Sequence, residues 1–162
     1  MIITPYYSFT RPADTSSYTS GDLVANSTTA ASVVPLSWSI QGTGGSGIIR
    51  AVRFFKSSTT ATAASFRVHL FAATPAPPTN GDNAAYGVAT VTDHLDTVAV
   101  DLSSGAFAGT AGLNKRSAAI AIGFRFPTAS MKLYGLIDVQ GSYAPANAET
   151  FRVTLEIESI PG

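Results

Sequence analysis

The run FRVTLEIESI, Phe151–Ile160, alternates without a break: Phe151, Val153, Leu155 and Ile157 fall on one side, Arg152, Thr154, Glu156 and Glu158 on the other. Successive side chains of an extended backbone point to opposite faces, so this pattern dictates a strand with one face buried and one face wet. ASFRVHLFA repeats it, setting Phe66, Val68 and Leu70 against Arg67, His69 and Phe71. Ile120, Ile122, Phe124 and Phe126 alternate in the same way, with Arg125 opposite. Further β-rich runs cover Asp22–Asn26, Val33–Ile40, Gly47–Phe55, Tyr86–Thr92, Leu95–Leu102 and Met131–Gln140. Turn-rich stretches separate them, notably Gly42–Gly47 (GTGGSG) and Thr74–Asn83 (TPAPPTNGDN), where Asn80–Gly81 supplies residues that tolerate positive φ.

Helical periodicity is nearly absent, and eight or nine short strands remain. They predict an all-β, single-domain two-sheet sandwich, jelly-roll-like in architecture. Immunoglobulin-like and other Greek-key sandwiches give the same periodicity and stay open at this level. A chain of 162 residues suits one domain. Residues 1–21 read as an N-terminal arm or edge segment, and 22–162 as the sandwich.

The run IIRAVRFF poses a parity problem. Arg50 and Arg53 cannot share a face of an unbroken strand, so either a bulge shifts the register or one arginine is buried with a partner. Trp38 joins Leu36 and Ile40 in an apolar set and reads as core. Phe71 beside two arginines needs either a covering loop or a partner surface, and Arg67, His69, Phe71 and Arg125 are therefore candidate contact residues.

Composition narrows function by exclusion. Only 12% of residues are charged, and ten basic residues balance ten acidic ones. Such a surface relies little on charge repulsion and fits partial coverage in an assembly. It lacks the dense basic patch of a nucleic-acid binder, so no nucleic-acid partner is expected. No stretch reaches the run of about eighteen apolar residues that reads as a membrane span, and no membrane partner is expected either. Cysteine is absent, which removes disulfides and thiolate ligands.

Reactive constellations fail their own requirements. The GTGGSG turn leads into a strand rather than a helix, and it lacks the Lys and Ser/Thr of a phosphate loop. His94 with Asp93 and Asp96 fits turn capping better than metal ligation. No catalytic, metal or cofactor residue is assigned, and no enzymatic activity is expected. Tyr86, Tyr134 and Tyr143 offer a sugar-stacking platform as the alternative, in a tail- or fibre-associated receptor- or carbohydrate-binding module.

The segments TRPADTSSYTSGDLVANSTTA, VVPLSWSI, GGSGIIRAVRFFKS and ASFRVHLFAATPAPPTNGDNAAY resemble small structural proteins of tailed-phage virion modules, in particular capsid decoration (cement) proteins. The resemblance runs from about Thr10 to Tyr86, with a looser match through the C-terminal strands. It implies a jelly-roll-like fold and a location on the outer capsid surface of a virion after synthesis in the host cytoplasm. It also implies contact with the phage major capsid protein, bridging of coat subunits, and self-association, often as a homotrimer. On this reading Tyr6, Tyr7 and Phe9 anchor an extended arm, and Arg11 and Asp14 form its hinge or clamp. Residues 1–14 are then expected to serve partner binding more than the fold.

Overall fold

In a computed structural model of the chain, residues 1–40, 45–126 and 131–160 are described. The glycine-rich turn expected at Gly42–Gly47 lies partly, at 42–44, outside them. Twelve strands run in chain order: β1 (Ile2–Ile3), β2 (Tyr6–Thr10), β3 (Leu23–Val24), β4 (Leu36–Ser39), β5 (Ser46–Lys56), β6 (Ser65–Phe71), β7 (His94–Asp101), β8 (Phe107–Gly109), β9 (Gly112–Arg116), β10 (Ile122–Arg125), β11 (Lys132–Val139) and β12 (Thr150–Ser159). All their pairings are antiparallel.

The larger sheet runs β2–β12–β5–β9–β8, with β1 prolonging β2 along β12 and β10 prolonging β9 along β5. The smaller runs β4–β11–β6–β7, with β3 prolonging β4. The path crosses between sheets at β2→β3, β4→β5, β5→β6, β7→β8, β10→β11 and β11→β12, and stays in the smaller sheet for β3→β4, which both lie along β11, and for the β6–β7 pair. Two interleaved Greek keys of this kind make a jelly roll.

The alternating residues meet between the sheets. Phe66, Val68 and Leu70 face Phe54, Phe151, Val153 and Leu155, all fully buried. Phe54 stacks on Phe66 at 4.7 Å, and Phe151 meets both edge-on. Each such side chain contributes about 1.5–3 kcal/mol by burial. Trp38 crosses the gap from β4, and its indole N–H donates to the Val153 carbonyl at 3.0 Å, so the largest core side chain leaves no orphan donor.

The parity problem resolves as a bulge. β12 pairs Glu156 with Ala51 and Ile157 with Ile49, so Arg50 is the extra residue on β5. Both arginines consequently reach the outer face, where Arg50 meets Glu158 and Arg53 meets Glu156. The same bulge marks where β5 changes neighbour, from β9 at Arg53–Lys56 to β10 at Ser46–Ile49.

The placement of the opening segment, and two differences from the sequence reading, have physical causes. The opening segment is built into the larger sheet: Phe9 pairs with Phe151 and Tyr7 with Val153. Tyr86–Thr92 forms no strand; it belongs to the long β6–β7 connection, held by isolated bridges at Asp22–Ala85 and Pro78–Val88. Gly81 serves close packing, since a Cβ there would lie 2.1 Å from the Thr28 carbonyl oxygen, whereas Asn83 takes the positive φ of 57°.

Candidate interaction surfaces

The side chain of Arg11 is fully buried. Its Nε donates to the Tyr18 hydroxyl at 2.8 Å, and Nη2 donates to Asp82 and to Asp14, each at 3.0 Å. Tyr18 in turn donates to Asp82 at 2.8 Å, and the Ala25 N–H donates to the same carboxylate oxygen. Burial pulls the Arg11 guanidinium down, but Tyr18 and the carboxylates outweigh it and hold it above its ordinary value. Burial pushes the Asp82 carboxyl up, against the pull of its donors. Asp14 caps the next turn by accepting from the Ser16 N–H. Arg11 thus holds Asp14 and ties the opening segment to Asp82 inside the domain.

A second buried set lies beside it. Lys56 donates to Glu149 at 3.2 Å, to the Tyr143 hydroxyl at 2.9 Å and to the Ser58 carbonyl, and Tyr143 donates to Glu149 at 2.6 Å. Burial lowers the Lys56 ammonium and raises the Tyr143 phenol. The Tyr18 and Tyr143 rings stack at 6.2 Å and join the two sets. Tyr143 has no exposed surface, so it cannot belong to a sugar-stacking platform.

On the outer face of the smaller sheet, Asp138 collects four donors. Arg67 donates through Nε at 3.1 Å and Nη2 at 2.5 Å, His69 through Nε2 at 3.0 Å, and Gln140 at 3.1 Å. With its Nε2 proton on Asp138, His69 accepts the Thr97 hydroxyl at Nδ1, and Thr97 accepts from His94 Nε2. Tyr86 stacks on His69 at 4.3 Å, which lays the β6–β7 connection over the sheet. Phe71 is buried beneath it with Leu23, Val33 and Leu136, so Phe71 is core and His69 is nearly so. A covering loop, foreseeable from Phe71 alone, accounts for both.

Burial works to raise the Asp138 carboxyl, but the His69 and Arg67 bonds prevail and hold it below the ordinary carboxylate range. A depressed carboxyl contributes stability above its unfolded value, near 3.9, and loses it as pH falls through the folded one. Asp138→Asn is expected to cost on the order of 2 kcal/mol at pH 7. Melting curves of the two proteins should converge below about pH 4; a gap unchanged down to pH 2.5 would show that Asp138 carries no charge-dependent share.

The larger sheet keeps its outer face open. Register aligns Ser8, Arg152, Phe55, Asn114 and Phe107 in one row across five strands, beside a second row of Tyr6, Thr154, Arg53 and Arg116. Glu156 receives both Arg53 and Arg116. Arg125 is exposed on β10, and Tyr6 stands over the larger sheet with 62% of its surface exposed. Tyr7 and Phe9 are half-buried against the core, Phe9 stacking on Phe151 at 5.6 Å. Of the nine contact residues expected from sequence, Tyr6 and Arg125 are exposed, Arg67 and Asp14 keep partly exposed side chains, and Arg11 and Phe71 are enclosed. The sequence reading missed Phe107, the most exposed large apolar side chain at 79%.

Both rims of the larger sheet end in short strands, β1 and β8. Met1, Ile2 and Ile160 are 73%, 60% and 42% exposed at the β1 rim, where the Ser159 N–H donates to the Met1 carbonyl.

No family model matches the chain, and no curated protein does. Among solved structures it is similar to a chain described as "Structure of a marine algae virus of the order Picornavirales", with 11% identity and a TM-score of 0.29. The match covers 98% of this chain and 71% of that one.

Proposed function

We propose that the protein is a non-enzymatic structural component of a tailed-phage virion, decorating the capsid surface and bridging subunits of the major capsid protein. The observation that supports this most is the β1 rim. Ile2 of β1 is exposed there, with the exposed Met1 and Ile160 beside it, so three apolar side chains gather at one end of the rim. Apolar side chains exposed together at a sheet rim mark a surface that another chain covers. Self-association through that rim, with a trimer as the closed form, gives a decoration protein the several contact points it needs to span neighbouring coat subunits. The buried ionisable groups support the non-enzymatic reading, because Arg11, Lys56, Asp82 and Glu149 are each bonded to internal partners.

Sedimentation over a concentration series tests the rim. Ile2→Lys puts a charge on an exposed position and should leave the melting temperature unchanged. It should weaken self-association and occupancy on purified capsids by about tenfold or more. Equal association and equal occupancy in the variant and the native protein would sink the proposal.

A further inference from the structure

The outer face of the larger sheet has the makings of a second site, independent of the β1 rim. A concavity of about 280 Å³ lies between Thr4, Arg53, Phe55, Asn114, Arg152 and Thr154. A second, of about 330 Å³, continues from Phe55 and Asn114 to Phe107 and the β8–β9 turn. Gly112 shapes the join. Its φ is +144°, and a Cβ there would lie 2.3 Å from the Lys56 carbonyl and 2.8 Å from the Phe55 ring. Only glycine lets the hairpin close against Phe55 in this way.

Charge on this face is unevenly spent. Arg50, Arg53 and Arg116 each meet a glutamate. Arg152 has no carboxylate partner among the described residues; its Nε donates to the Ser8 hydroxyl, and its guanidinium lies 4.8 Å over the Tyr6 ring. Those contacts orient the group and leave the remaining guanidinium N–H donors for an anion. Phe55 and Phe107 are two strands apart, roughly 10 Å at ordinary strand spacing, with the Asn114 amide between them.

We propose that this row binds a carboxylated oligosaccharide lying across the strands, its sugar rings on Phe55 and Phe107 and a carboxylate on Arg152. The direction of the row decides against a peptide added to the sheet. A peptide strand would run along a rim and take its affinity from backbone hydrogen bonds, whereas a row across five strands offers side chains alone. Flat apolar faces interleaved with amide, hydroxyl and guanidinium groups match a sugar chain, which presents apolar ring faces edged by hydroxyls. The combined space is of the size usual for small-ligand sites. The inference does not depend on the virion reading, since it uses neither the β1 rim nor a coat partner.

The test is calorimetric titration of the full chain with galacturonic acid hexamer, with cellohexaose and poly-L-glutamate as neutral and charged controls. Binding of the hexamer alone is expected. Arg152→Ala and Phe107→Ala should each weaken it by about tenfold, while circular dichroism and melting temperature stay unchanged, both positions being exposed. No binding of the hexamer overturns the proposal. Equal binding of poly-L-glutamate reduces the site to bare charge and overturns it as well. Equal binding of cellohexaose removes the role of the carboxylate, and insensitivity to both substitutions places any sugar binding elsewhere.

Discussion

Deleting residues 1–14 is expected to unfold the domain rather than trim an arm from it. The deletion removes β1 and β2, bares the length of β12 and takes the Phe9 ring from Phe151. It also removes Arg11, leaving Asp82 and Tyr18 buried without their cation. Breaking a buried pair by removing one partner costs about 3–5 kcal/mol, and a whole domain holds only about 5–15 kcal/mol. Loss of the edge strand adds to that. Arg11→Ala alone should therefore take a large part of the stability, and the deletion should abolish the cooperative urea transition and the near-ultraviolet dichroism. A truncated chain that melts like the intact one would restore the segment to a detachable docking arm.

The second large effect is expected at Glu149. Its carboxylate accepts from Lys56, Tyr143 and the backbone of Ser58 and Ala146, and it is buried. Glu149→Ala strands the Lys56 ammonium with no counter-charge and should cost about 3–5 kcal/mol. Replacing the pair together, as Lys56→Met with Glu149→Leu, removes both charges and should recover much of that loss. Urea titrations of the single and double variants give the coupling directly. If the double variant is no better than the single one, the damage lies in the packing of the 141–149 loop and not in the unpaired charge.

Much of the sandwich was legible because β6 and β12 alternate cleanly, and alternation needs no tertiary knowledge. The opposite parity of Arg50 and Arg53 left two readings, a bulge or a buried arginine, and only the register against β12 decides for the bulge. β2 carried the same signal, Tyr7 and Phe9 inward against Tyr6, Ser8 and Thr10 outward, but its aromatics suggest anchors as readily as core. β8 and β9 were not legible. Phe107–Gly109 and Gly112–Arg116 are short, with few β-branched residues, and they owe their extension to pairing with β5. The partner of Arg11 was hidden for a related reason: Asp82 is distant in sequence, and no local pattern links an arginine to one particular loop aspartate. The surface row Arg152–Phe55–Asn114–Phe107 needs register across four strands, which a linear pattern does not contain.

The place of β12 has a consequence for how the molecule is made. This strand, the last among the described residues, is interior to the larger sheet, holding β1 and β2 on one side and β5 on the other. While the polypeptide is being synthesised, the opening strands have nothing to pair with, and β5 waits with one edge bare until the final strand emerges. Contacts between sequence-distant segments slow folding, and waiting edges invite other chains. Assembly of the larger sheet is thereby postponed until β12 has been made. A nascent chain stalled before Thr150 should be open to protease along its first ten residues, although every strand of the smaller sheet has already been synthesised.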